Sequence, residues 1–296
     1  MHTRKRRNLL TAFIFIAPFL ILYLVFTIAP MVYGFYVSLH RWGLMGKQGF
    51  IGLDNYQRFF SDRHFISSLL NTLKYIVLIT PGIILLSLGA ALLANRQVFG
   101  QKFIRIGFYL PTVLSVTVMS YIVIYFFRPY TGVMNNLLQS IGLLHPQEEI
   151  MWIRDVSTLW GVLSGSTIWW TLGGTMLLYL AALQDIPKML YEAASIDGAT
   201  SRQSLWHITL PMLRPITYLN VLLQIMASFK IFGQVHLISG GGPGTATRPL
   251  VLYIYQQGFV KNQLGHASAM SMALFLVIAI STLIQLKIQA RGESYV

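Results

Sequence analysis

The chain contains no cysteine, so disulfides, thiolate nucleophiles and cysteine-ligated metals are excluded. Acid is nearly as scarce: nine Asp and Glu stand against 22 Lys and Arg, a net charge of +13 over 296 residues. Charged residues total only 10%, where a soluble domain carries about 25%, and that is too few to build a water-facing surface. A basic excess massed on one face would suit nucleic acid. Here it is strung out between apolar runs, and no nucleic-acid partner is expected. No G-x-x-x-x-G-K-[ST] phosphate loop occurs, so the chain is not expected to hydrolyse a nucleotide. The seven histidines form neither H-E-x-x-H nor any paired ligand spacing, so no metal site is expected. No nucleophile–base set or carboxylate pair can be assembled, and the chain does not read as an enzyme.

What is present is apolar: 55% of residues are hydrophobic and 13% aromatic. A helix crossing a bilayer needs about 20 predominantly apolar residues. Six segments qualify: Leu9 to Leu39, Thr72 to Ala94, Ile106 to Phe127, Thr158 to Leu183, Ile216 to Ile238 and Ala267 to Leu286. The first is longer than one crossing requires, and Pro18 and Pro30 are expected to kink it. Its apolar run far exceeds a signal peptide's core and no small-x-small site ends it, so it is expected to remain as an uncleaved span. The reading is an all-α polytopic membrane protein forming one transmembrane domain over 1–296.

Loop cations set the orientation. Arg4, Lys5, Arg6 and Arg7 precede the first span. Arg96, Lys102 and Arg105, then Lys188, Arg202 and Arg214, then Lys287 and Arg291 fall on the same side of a six-span chain. Arg41, Lys47, Arg58, Arg63, Lys74, Arg128, Arg154, Arg248 and Lys261 fall opposite, diluted there by Asp54, Asp62, Glu148, Glu149 and Asp155. The dense N-terminal cluster places both termini and the 184–215 loop in the cytoplasm. On the outer side, FIGLDNYQRFFSDRHF reads as a short interfacial helix anchored by Tyr56, Phe59 and Phe60. Residues 128–157 read as a turn-rich connection with Gly132, Gly142 and Pro146.

The 184–215 loop is polar and helix-forming between two apolar spans. Asp185 and Pro187 suit a helix start. Met189, Leu190, Ala193 and Ala194 share one face, and Gly198 can take the left-handed conformation that ends a helix. Thr200 and Gln203 have capping-box spacing, and Leu210-Pro211 should close the second helix. Such a helix–turn–helix must bury its apolar face, either on this chain's own helix ends or on a cytoplasmic subunit.

Glu192-Ala193-Ala194, Asp197-Gly198-Ala199, Ile208, Leu210-Pro211 and Pro215 resemble, in identity and spacing, the EAA loop of ATP-binding-cassette importer permeases. Ser239 to Pro243 with Thr247, Tyr253-Ile254-Tyr255 and Phe259 is similar to the segment after span five in the carbohydrate-uptake, maltose- and glycerol-phosphate-type branch. Phe19, Pro30 and Gly52 to Tyr56 resemble its N-terminal part, so the likeness covers most of the chain. It implies a type I importer permease bundle in a bacterial inner membrane, forming half of a translocation path for a carbohydrate. The implied partners are a second permease subunit, two ATPase subunits that bind the ATP and Mg, and an extracytoplasmic solute-binding protein. The residues carried over as ATPase-coupling are Glu192, Ala193, Ala194, Asp197, Gly198, Ile208, Leu210 and Pro211. The family often has an acidic residue where this chain has Gly233, which weakens any carry-over of the substrate site.

Within span five, Gln224, Ser228 and Lys230 are polar in an apolar setting. The first two share a helical face, and buried polar groups need partners, so the three are candidates for the substrate path. Lys230 could instead snorkel or pair with a neighbour. Gly161 and Gly165 form G-x-x-x-G in span four, suited to internal packing or to a partner permease. The run 240–244 reads as a tight outer turn. An ion-coupled secondary transporter is the alternative function. It would need buried ionisable groups or repeats, of which Lys230 alone is visible.

Overall fold

The structure is a computed structural model describing residues 2–96 and 100–293. The side chains of 2–12 and 291–293 lie outside the described set, and with them the basic cluster Arg4 to Arg7 and Arg291. Among the described residues the regular elements are helices apart from one hairpin. In order it forms α1 (His2–Tyr23), a π-helical turn (Leu24–Ile28), α2 (Ala29–Ser38), β1 (His40–Gly43), β2 (Gly46–Phe50), α3 (Asp54–Phe60) and α4 (Arg63–Asn95). Then come α5 (Gln101–Val113), α6 (Val116–Phe126), α7 (Val133–Ser140), α8 (Val156–Gln184), α9 (Lys188–Ile196) and α10 (Ser201–Ser204). A second π turn (Leu205–Thr209) leads into α11 (Leu210–Met212), α12 (Arg214–Phe229), α13 (Gly233–Ile238), α14 (Leu250–Tyr255), a third π turn (Gln256–Val260) and α15 (Leu264–Glu293).

All six expected spans fall on helices, but only four are single apolar helices of crossing length: Phe13–Ser38, Arg63–Asn95, Val156–Gln184 and Leu264–Ala290. The first continues through Pro18 and Pro30. Its π turn ends two residues before Pro30, where Ala29 N–H reaches back to the Leu24 carbonyl. Proline lacks the N–H that an α turn would use, and the wider turn takes up the mismatch.

The third span is not one helix. α5 and α6 meet at 101°. Leu114 and Ser115 are extended, and Ser115 Oγ accepts from Val118 N, an N-cap that restarts the chain as a new helix. The fifth span is also broken: α12 stops at Phe229, and α13 begins only at Gly233. Gly233 sits close to α6, where a Cβ would lie 3.0 Å from Val116 Cγ2. Lys74, counted above with the outer loop, lies inside α4, with its ammonium 4.0 Å from the centre of the Trp160 ring.

The chain divides into two compact units: residues up to Asp62 with Ile254–Leu276, and Arg63–Tyr253 with the residues after 276. In the first unit the hairpin pairs His40 with Phe50 and Gly43 with Gly46, with a bulge between Arg41 and Trp42. Asn55 Nδ2 donates to the carbonyls of Ser38 (2.8 Å) and His40 (3.0 Å), tying α3 to β1. Phe59 is buried, a core residue rather than the expected interfacial anchor, while Phe60 beside it is exposed.

In the second unit α4 packs along α8. Two apolar clusters fill it, one around Tyr75, Met119, Leu163 and Val235, the other around Ala91, Met176, Tyr179 and Leu213. Lipid is as apolar as these side chains, so close van der Waals fit and shared hydrogen bonds hold such helices together. Ser87 Oγ donates to the Leu172 carbonyl at 3.1 Å. At Gly173 the backbones of α8 and α5 almost touch: a Cβ there would lie 2.6 Å from the Phe108 carbonyl oxygen.

Candidate functional site

The 184–215 segment is a helix–turn–helix held by local capping. Asp185 terminates α8 rather than opening the next helix, and α9 starts after Pro187, whose φ of −60° and ψ of 127° form the extended N-cap. α9 ends in a Schellman turn. Gly198 has φ +79°, its N–H donates to Ser195 O (3.1 Å), and Ala199 N–H donates to Ala194 O (2.9 Å). Thr200 and Gln203 form a reciprocal capping box: Gln203 N donates to Thr200 Oγ1 (3.3 Å) and Thr200 N to Gln203 Oε1 (2.8 Å).

The expectation that Leu210-Pro211 closes the second helix is not met. Helical backbone runs on to Met212. Leu210 N–H bonds to Leu205 O in a π turn that ends, as near Pro30, two residues before the proline. Pro211 cannot donate to His207, and the added residue per turn spares its ring a clash with that carbonyl.

The segment is partly covered. Tyr191, Ile208 and Leu213 join the cluster around Ala91, Leu183 and Ile186, and Tyr191 Oη meets Thr209 Oγ1 at 2.9 Å, joining the two arms. Other side chains of the segment are bare. No residue of α9 is buried; Ile196 is 87% exposed and Trp206 61%, with Met189 and Glu192 also exposed. Both packings foreseen for the loop therefore have side chains to serve them: some covered by the chain's own helix ends, others open.

Gln224, Ser228 and Lys230 line one cavity of about 200 Å³, walled also by Trp170, Thr171 and Gln234. Gln224 Nε2 donates to Thr175 Oγ1 on α8 at 2.8 Å, and Ser228 is buried. Lys230 is not a charge inside a helix, as the reading of span five had it. It caps the C-terminus of α12 and is exposed. Once the helix ends at Phe229, helical phase no longer carries Lys230 away from the Gln224–Ser228 face. Trp170 Nε1 donates to Leu114 O (3.0 Å), a carbonyl freed by the bend between α5 and α6. Sequence inspection missed Trp170 and Gln234, since a Trp in an apolar span reads as core until the bend in the facing helix is known.

Gly161 and Gly165 have open space where a Cβ would stand, so the close helix contact expected of that motif is supplied by Gly173 instead. Gly240, Gly241 and Gly244 have positive φ. Their turn is closed by Thr247 Oγ1 donating to Gly242 O (2.7 Å) and by Ser239 Oγ accepting from Gly241 N (3.2 Å).

Residues 83–291 match the family described as binding-protein-dependent transport system inner membrane component, and the chain belongs to this family of ABC importer permeases, in its carbohydrate branch. It is 31% identical over 302 residues to the multiple sugar-binding transport system permease protein MsmF of Streptococcus mutans, covering 99% of this chain and all of that one. It is 32% identical to the sn-glycerol-3-phosphate transport system permease protein UgpA of Agrobacterium fabrum, covering 97% of each. A solved bacterial alginate ABC transporter, in complex with an alginate pentasaccharide-bound periplasmic protein, contains a chain that superposes with a TM-score of 0.81 at 27% identity, covering 97% of this chain and 96% of that one.

Proposed function

We propose that this permease forms half of an ATP-driven carbohydrate importer and takes its energy through 184–215 from a separate ATPase subunit. The observation that carries the reading is the bare apolar side chains of that segment, set on a locally capped scaffold. Ile196, Met189 and Trp206 present large apolar side chains on a loop too short to cross a membrane, and exposed apolar surface on such a loop suits a docking site. Glu192, Ala193, Ala194, Asp197 and Gly198 form the first arm of the knob, Ile208, Leu210 and Pro211 the second. Two ATPase subunits that bind ATP and Mg close on each other and draw this knob and its counterpart on a second permease together. An extracytoplasmic solute-binding protein delivers the sugar, and Gln224, Ser228 and Lys230 line its path. The exposed Gly161–Gly165 face suits close approach of the second permease. Both termini lie in the cytoplasm.

The test is co-purification of the assembled complex. Ile196→Asp with Trp206→Asp removes two apolar contacts, each worth about 2 kcal/mol if it sits at the interface centre. The ATPase should be lost from the tagged permease while the second permease stays bound. Full ATPase recovery with wild-type transport would refute the assignment of the knob.

A further inference from the structure

Lys74 is a second cation in the membrane part of the second unit. It lies inside α4, close to the outer end of the apolar run from Thr72 to Ala94, and its side chain is exposed. It reaches across to α8, where its ammonium sits 4.0 Å from the centre of the Trp160 ring. Trp160 is itself buried and packs on Tyr75, with ring centres 4.6 Å apart. A cation over an indole face is held by the ring's own charge distribution, so Lys74 is positioned at the α4–α8 seam.

That seam leads to the cavity beside Lys230. On the six-span reading α4 and α8 both run from the outer to the inner face. Ile79 lies about 8 Å beyond Lys74 along α4, and Thr167 about 10 Å beyond Trp160 along α8. Ile79 and Thr167 both line the Lys230 cavity. Trp160, Ile79 and Ile231 share one apolar cluster, with Trp170 packed against it. The two lysines therefore stand at successive levels of one polar route, Lys74 nearer the outside.

No acid on these helices answers them. Asp and Glu are absent from α4, α5, α6, α8, α12 and α13. Apart from Lys230 the cavity is lined by hydroxyl, amide, indole and aliphatic groups. A charge at membrane depth is costly, and it is kept where it meets a partner or lines a pathway. Clefts lined by charge of one sign concentrate the opposite ion. The hydroxyls and amides suit a sugar, and the two unanswered cations suit negative charge on it. Cations at two depths fit acid groups on successive rings better than the single anionic group of a phosphorylated monosaccharide.

We propose that Lys74 and Lys230 are specificity-determining residues that make the path selective for acidic oligosaccharides with carboxylates on successive units. Lys74 receives a carboxylate on the outer side, Lys230 receives the next one deeper, and a neutral sugar gains from neither. This rests on the cavity beside Lys230 being part of the sugar's path.

The test places a thiol in that cavity. Thr171 lines it, is half-buried and makes its hydrogen bond within its own helix, and the chain has no other cysteine. The assembled importer carrying Thr171→Cys is cycled with ATP in nanodiscs and treated with anionic sulfonatoethyl methanethiosulfonate or cationic trimethylammonioethyl methanethiosulfonate. Labelling of this chain is followed by mass spectrometry. Relative to their rates with a free thiol in water, the anionic reagent should react at least about tenfold faster than the cationic one. Lys74→Gln with Lys230→Gln should abolish that preference, each single variant should reduce it, and Lys74→Arg with Lys230→Arg should keep it. Tri-galacturonate should protect the thiol at concentrations at least about tenfold below those needed by its neutral methyl ester or by glucose-6-phosphate. Labelling by neither reagent would remove the cavity from the path, and the proposal with it. Labelling without sign preference would leave the path standing and overturn the charge selection, as when a carboxylate of the second permease neutralises the lysines. An undiminished preference in Lys74→Gln would strike Lys74 from the route. Equal protection by the three sugars, or none, would overturn the acidic oligosaccharide as the substrate class.

Discussion

Gly173 shows how little room a single residue can have. Its missing side chain lets the α8 backbone approach that of α5, with the Phe108 carbonyl and Tyr109 Cα each within 2.7 Å of where a Cβ would stand. Backbone atoms cannot turn aside as a flexible side chain can. Gly173→Val should therefore force the two helices apart, at a cost of about 1–3 kcal/mol from overpacking, and lower the midpoint of thermal unfolding in detergent. Gly161→Val, where nothing lies within 4 Å, should leave that midpoint unchanged. Sequence alone could not rank these glycines. G-x-x-x-G spacing drew attention to 161 and 165, while 173 had only Gly174 beside it. What separates them is which face of α8 meets α5, a tertiary fact.

Among the elements, the two proline-associated π turns are the most instructive. Near Pro30 and near Pro211 the chain widens one turn instead of stopping. Sequence reasoning expects a kink or an end at such prolines, since it sees the missing N–H but not the packing that keeps both flanks helical. Pro211→Ala restores a donor able to reach His207 O, allowing an ordinary α turn. One residue fewer in that turn rotates Trp206 by about 100° relative to Met212. In the assembled complex, substrate-stimulated ATP hydrolysis should fall, while thermal stability stays level or rises because an interior proline has been removed.

Other parts of these elements were legible beforehand. The capping box at Thr200 and Gln203 and the left-handed Gly198 depend only on neighbours within four residues, and sequence shows those directly. Span positions were legible because lipid imposes length and apolarity. The bend at Leu114 and the stop at Phe229 were not, because both lie inside apolar runs of sufficient length and hydropathy does not register a break in hydrogen bonding. The Trp170–Leu114 contact and the position of Lys230 follow from those two breaks, so they were hidden too. The hairpin also escaped notice: HRWG and GKQGF lack the apolar alternation that marks a strand.

For the molecule as a whole, the apolar helices and the family assignment fix a permease, and the division of its polar surface follows from how its loops are dealt to the two sides of the bilayer. On the six-span reading of the sequence, four crossings lie between the N-terminus and 184–215 and one between the N-terminus and the hairpin, which predicts that a reagent confined to one side of the membrane reaches one and not the other.

That separation can be read with a feature so far only noted as an absence. The tip of the hairpin is a protruding, unencumbered point: Met45 is 97% exposed, and Gly46 beside it makes the turn with φ +100°. Because the chain has no thiol of its own, one introduced there is the sole target for a membrane-impermeant maleimide. Met45→Cys should label in intact spheroplasts. Ile196→Cys should label only once the membrane is opened. Equal labelling of both from outside would reverse the orientation drawn from the loop cations. A hairpin too short to shape the fold thereby becomes a reporter of sidedness, a fixed attachment point from which the transporter's working cycle can be followed by a dye or spin probe without first stripping native cysteines.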